Sequence, residues 1–196
     1  GYKMNFLSEK LYKILKGKKS PFYLYVISFS ESIFFPIPTD TFLIPMALAN
    51  RDKAISLGIY TTLFSVVGGI FGYLIGLLFF DTIGINIIEN FDLMDKFDHF
   101  SNSISEYGYL FIFIAGFTPI PYKIAAITSG VIGISFPIFV LFSLFSRGLR
   151  FLTEVILCKA MGEKAKSIIK KYSFALTIIF LLSFVGIIII KEVIFN

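Results

Sequence analysis

The chain has 196 residues, 56% of them hydrophobic and 16% charged, with 25 Phe, a mean hydropathy of +0.83 and a formal net charge of +5. A soluble domain carries roughly a quarter charged residues, so most of this apolar surface suits lipid rather than one buried core. A lone Cys158 and a lone His99 exclude a disulfide framework, a His/Cys zinc site and a Ser-His-Asp or Cys-His centre that relies on this chain alone. Lys and Arg gather at the ends of apolar segments, so the positive balance reads as a topology signal and no nucleic-acid partner is expected. No metal and no cofactor are expected either.

Residues 1–19 hold six Lys and place Met4, Leu7, Leu11 and Ile14 at helical spacing. That pattern predicts a basic amphipathic helix on an anionic leaflet. No cleavable signal peptide is expected, because the stretch lacks an apolar core. Residues 22–50 are apolar but interrupted by Glu31, Pro36, Pro38, Asp40 and Pro45. Proline has no N–H, so the carbonyls of Ser32 and Phe34 lose their helical partners, and lipid offers none in exchange. The segment is therefore predicted to be a re-entrant hairpin of two half-helices meeting at Phe35 to Thr39.

Residues 54–80 contain no charge and form the first predicted span. Gly68, Gly72 and Gly76 stand four apart on it and make a smooth face for close helix packing, within the chain or between copies in a homo-oligomer. Residues 81–106 carry six acids against Lys96, with Ile87, Phe91, Met94, Phe97, Phe100 and Ile104 spaced by three or four. They predict an acidic amphipathic helix at the interface, with His99 an ordinary surface histidine. Residues 107–130 repeat the broken pattern through Pro119, Pro121 and Lys123, and predict a second re-entrant hairpin. Residues 134–158 form the next span, starting at Ser135 and Pro137, with Arg147, Arg150 and Glu154 in its final third. A last charge-free span covers 172–190.

The most informative feature is an internal repeat. Phe34, Pro36, Ile37 and Pro38 recur as Phe117, Pro119, Ile120 and Pro121 at an offset of 83 residues, each set followed by a long apolar segment. Paired broken segments in corresponding halves point to an inverted-repeat transporter site. Residues 1–19, Arg51 with Lys53, and the stretch from Arg147 to Lys171 then share one side, which the positive-inside rule makes cytoplasmic, together with the N-terminus. A model in which 22–50 and 107–130 cross fully keeps that N-terminal side and moves only 81–106.

The second half-helix of each hairpin would aim its N-terminus at the membrane centre, where free N–H groups favour an anion, and Lys123 adds a full charge. Arg147 lies 12 residues before Lys159, ~18 Å along a helix, too deep to reach the headgroups easily. Ionisable groups at that depth are functional candidates by default. Lys123, Arg147 and Arg150 are the candidate phosphate ligands, and Glu31 and Asp40 the candidate proton carriers or ion-pair partners. Simpler roles remain for two of them: Asp40 as a helix cap beside Thr39, and Arg150 with Glu154 as an intrahelical pair.

These residues resemble the DedA family, whose domain is also called VTT or SNARE-associated, and within it the short YqaA-like branch. The resemblance runs over about residues 22–160: Glu31 to Asp40 with its P-I-P-T-D, the glycine-rich span, F-T-P-I-P-Y-K, Gly130, and R-G-x-R at Arg147 to Arg150. It implies an all-α polytopic protein of a bacterial cytoplasmic membrane, with two opposed re-entrant hairpins and one extra C-terminal span. It also implies transport of an anionic lipid, polyprenyl phosphate or phospholipid, and no enzymatic step. Its acidic pair maps onto Glu31 and Asp40. Gly116 stands where the family's first arginine is expected, and Tyr122 with Lys123 around the second. The alternative is a non-transporting assembly factor whose hairpins only pack.

Overall fold

The computed structural model describes residues 20–91, 107–118 and 120–172, with positions 94, 95, 97, 98, 101, 102, 175, 178 and 179. Segment 1–19, most of 172–190, His99 and Pro119 lie outside the described residues. Among those described, all regular structure is helical: α1 Ser20–Glu31, α2 Asp40–Ala49, α3 Ala54–Phe79, α4 Ile85–Asn90, α5 Gly108–Phe117, α6 Tyr122–Val131, α7 Phe136–Met161 and a short α8 over 164–172.

The prolines set the breaks. Residues before proline avoid the helical region, and the chain leaves α1 ahead of Phe35 and Ile37. The N–H groups of Ile33, Phe34 and Phe35 all turn back onto the Ser30 carbonyl at 2.9–3.1 Å. The first break thus spans 32–39, longer than Phe35 to Thr39, because this turn gathers three donors before the first proline is reached. The second break, 118–121, is half that length.

Each broken pair is followed by a helix of 26 residues, ~39 Å long. α1 packs on α3 and α5 on α7, while α6 crosses onto α3 and α2 onto α7. The glycine stripe makes this exchange possible. Gly68 meets the Phe29 backbone, Gly72 meets Ala126 and the Ser32 carbonyl, and Gly76 meets the Ile127 backbone. A Cβ at Gly68 or Gly76 would overlap a backbone carbonyl, so the stripe is consumed by packing within one chain.

Two apolar clusters sit at opposite ends of this arrangement. One gathers Leu24, Leu43, Met46, Leu57, Phe151 and Val155, the other Tyr73, Ile112, Tyr122, Ala126, Ile134 and Phe139. Between them, α3 buries Thr61, Thr62 and Ser65, and α7 buries Ser143, Ser146 and Arg147. The outer faces are apolar instead: Leu78 and Phe145 are each 62% exposed. A polar middle under an apolar exterior reverses the arrangement of a water-soluble core.

Among the described residues, one helical run is long and apolar enough to cross a membrane, the 34 residues Arg51–Gly84. α7 equals α3 in length but carries Arg147, Arg150, Glu154 and Lys159. The run continues past residue 80 through a wide π-helical turn, Phe80–Gly84, into α4. Phe97 stacks on Phe80 with ring centroids 4.7 Å apart. A straight helix would hold rings 17 positions apart at ~25 Å, so the chain doubles back between Phe80 and Phe97; the acidic helix expected over 81–106 lies partly outside the described residues.

Candidate functional site

The breaks leave backbone carbonyls without helical partners, and those of Phe34, Phe35 and Thr118 accept from cationic side chains elsewhere in the chain. Lys123, second residue of α6, donates from Nζ to the carbonyls of Phe35 at 3.2 Å and Phe34 at 3.4 Å. Phe34 is one of the two carbonyls that the prolines were expected to orphan. In the second break the Thr118 carbonyl accepts from Arg150 Nη1. The second unit thus supplies the cation for the first break, and α7 supplies it for the second.

The two acids flank the first break, Glu31 as the last residue of α1 and Asp40 as the first of α2. Arg147 Nη2 donates to Glu31 Oε2 at 2.7 Å, and its Nε to Ser65 Oγ at 2.8 Å. Ser65 in turn lies 2.9 Å from Ser32 Oγ. The Arg147 guanidinium also stands over the rings of Phe151 and Tyr122, at 4.5 and 5.0 Å from their centroids. With 2% of its surface exposed, Arg147 is a buried cation matched by an acid, a hydroxyl and two aromatic faces.

Arg150 sits one turn further along. It donates from Nη2 to Asp40 Oδ2, and its Nε lies 3.7 Å from Glu154 Oε1. The simple capping role for Asp40 does not hold. Thr39 occupies the cap position without a side-chain cap bond and donates instead to Glu31 Oε2 at 3.3 Å, while Asp40 faces Arg150. Ser135, at the start of α7, likewise makes no side-chain cap bond.

Glu31, Asp40, Lys123, Arg147 and Arg150 line one cavity of about 180 Å³, with Pro36, Pro38 and Pro121 in its walls. That is room for about six waters or one phosphate-sized group. Asp40, the first residue of α2, and Lys123, the second of α6, both border it. Three cations (Lys123, Arg147, Arg150) face three carboxylates (Glu31, Asp40, Glu154), and Lys123 alone of the three cations has no carboxylate within ion-pair distance. Gly116 is walled in: a Cβ there would overlap Ser146, and Arg147 Cδ stands 3.7 Å away. The space beside position 116 is filled by Ser146 of α7, with the Arg147 side chain in ordinary contact next to it.

Ser32, Ser65, Thr118 and Tyr122 complete the site; no sequence signal marked Ser65, while Ser32 stood out only for its carbonyl, Thr118 only as part of the repeated motif and Tyr122 only as the neighbour of Lys123. Glu154 showed in the sequence only as an i,i+4 neighbour of Arg150.

A model of the VTT domain matches residues 37–160. The chain belongs to this family of membrane proteins, the DedA or VTT family that its motifs resemble. An uncharacterized protein of Haemophilus influenzae is 36% identical over 163 residues, 83% of this chain and 84% of that protein. A protein of Histophilus somni is 33% identical over 158 residues, 81% and 82% of the two chains. One from Methanocaldococcus jannaschii is 25% identical over 129 residues, 66% and 78%. No solved structure matches the chain.

Proposed function

We propose that the protein is a multi-pass lipid carrier of the cytoplasmic membrane, with its N-terminus inside. In this reading α3, α7 and the apolar stretch 172–190 span the bilayer, and the pairs α1/α2 and α5/α6 are re-entrant hairpins dipping from opposite faces. An anionic headgroup, of polyprenyl phosphate or of a phospholipid, crosses through the cavity while its chains stay in lipid. No bond is broken, so the reading is not of an enzyme.

The observation that carries it is the convergence of Lys123, Arg147 and Arg150 on one cavity bordered by both breaks. Lys123 would meet the phosphate first, since it is released by giving up two backbone carbonyls, whereas each arginine must leave a carboxylate. Glu31 and Asp40 hold the arginines until the anion arrives. A second reading, a non-transporting assembly factor, is favoured by the fact that both guanidiniums are already paired.

Headgroup translocation of labelled lipids in proteoliposomes separates the two. The carrier reading expects flux of polyprenyl phosphate, phospholipid or both, and a drop of at least about tenfold in Lys123→Ala per folded protein, the worth of one charge-assisted hydrogen bond. Normal flux in that variant removes Lys123 from the site. Absence of flux of either lipid through the wild-type protein leaves the assembly role.

A further inference from the structure

Three cations and two carboxylates line the cavity, and a third carboxylate, Glu154, stands behind Arg150 outside its wall. Glu154 is 6% exposed, its Oε1 faces Arg150 at 3.7 Å, and its Oε2 is buried with no hydrogen-bond partner. A buried carboxylate oxygen without a donor is costly, more so for a full charge than for a neutral group. Asp40, reaching in from α2, pairs with the same guanidinium, so the two carboxyls share Arg150 as their common neighbour.

The surroundings of Glu154 leave few other groups to satisfy it. Its own helix presents Arg150, Arg147 and the Cys158 thiol, and α2 presents Asp40. The packed helices α3 and α5 contain no Asp, Glu, Lys or Arg; Glu163 and Lys166, around the start of α8 near Cys158, pair with each other at 2.7 Å, and Arg51 of the turn before α3 lies against Gly162, beyond Cys158. Arg147 is committed to Glu31 at 2.7 Å. One guanidinium, Arg150, is therefore shared by two acids.

We propose that Glu154 is the proton-holding group of this site, sharing one proton with Asp40 whenever Arg150 turns to the transported anion. This rests on the carrier reading. A phosphate monoanion entering the cavity draws Arg150 away from Asp40. The Asp40–Glu154 pair, left without its cation, takes one proton from water, held between an Asp40 oxygen and Glu154 Oε2. One negative charge and one positive charge have entered together, so the cavity stays balanced. On release the proton departs and Arg150 returns between the two carboxylates. Glu154 is suited to this because it stands on the same helix as Arg150, four residues on, and stays beside it while α2 moves.

Glu154→Gln copies the protonated acid without changing its shape, which makes it the decisive variant. The expected result is a full-length protein that gains more melting temperature than the wild type when polyprenyl phosphate is added in detergent, because its site needs no proton to hold the anion. A gain no larger than that of the wild type overturns the proposal. In infrared difference spectra between the polyprenyl-phosphate-loaded and the free protein, the band of a protonated carboxyl should be lost in Glu154→Gln and kept in Glu31→Gln. A band unaltered by Glu154→Gln also overturns it. In proteoliposomes, wild-type flux should rise with acidity, by at most about tenfold per pH unit for one proton. Flux in Glu154→Gln should be flat with pH, and in Glu154→Asp it should keep the rise. A Glu154→Gln protein with the wild-type pH profile overturns the coupling. A wild-type protein that moves no lipid sinks the carrier reading and the coupling with it, while the infrared and melting results still decide whether Glu154 holds a proton.

Discussion

The two breaks carry nearly the same five residues and do opposite things. The first, 32–39, is long, begins and ends against acids, and exposes two carbonyls that Lys123 fills. The second, 118–121, is short and opens directly into Tyr122 and Lys123, with its Thr118 carbonyl held by Arg150. The shared F-x-P-I-P ends each first half-helix, since proline removes a donor wherever it stands. What differs is the flanking charge, and that difference lets the breaks complement one another: the acidic break receives cations, and the basic break supplies one of them.

The strongest way to break this complementarity is to remove Arg147. Arg147→Met leaves the partly buried Glu31 with only Thr39 as donor, and should cost about 3 kcal/mol, the low end of the penalty for stranding a buried charge. The double variant Glu31→Gln/Arg147→Met should recover most of it in denaturant titrations in detergent. A double variant no better than the single one would mean that Arg147 matters for packing on Phe151 and Tyr122 rather than for Glu31.

Gly76→Ala comes next, at about 1–3 kcal/mol, because its Cβ meets the Ile127 backbone, which cannot swing aside. Amide exchange should rise in α6 and the second break, whereas Gly68→Ala, set against Phe29 of α1, should loosen the first. Gly72→Ala should be milder than either, since its nearest neighbour is the Ala126 methyl at 3.2 Å.

Lys123→Ala should cost about 1–2 kcal/mol, and its signature is positional. Exchange should rise at 33–35, in the first break, although the substitution lies in the second unit; a rise confined to 120–124 would refute the crosswise link. The smallest effect is expected for Thr39→Ala, about 1 kcal/mol, read as a lower melting temperature. It removes one of the two donors to Glu31 Oε2 and leaves the Arg147 bond in place.

The existence of both breaks was legible, because a missing N–H acts within a few covalent bonds of the proline that lacks it. The start of the first break was not, because the turn over the Ser30 carbonyl depends on how Ile33 to Phe35 fold back. The glycine stripe was legible as a contact face, while its partner was not. Four-residue spacing says that something approaches, and only packing shows that Gly68 takes the Phe29 backbone and Gly76 the Ile127 backbone. In the acidic segment, too, apolar spacing of three and four describes a face, and it carries no information about a reversal such as the one that stacks Phe97 on Phe80.

By itself the sequence determined a chain built for lipid, its two proline breaks, their repetition, and the short set of ionisable residues able to meet at them. These follow from composition and from groups missing on single residues, which need no partner to act. Which acid holds which arginine was decided only by tertiary structure: Arg147 reaches Glu31 across 116 positions and Arg150 reaches Asp40 across 110. The same holds for Glu154, whose unpartnered oxygen exists only because α2 closes over it. Coulomb attraction and desolvation depend on distances and burial through space, and no local pattern along the chain encodes them.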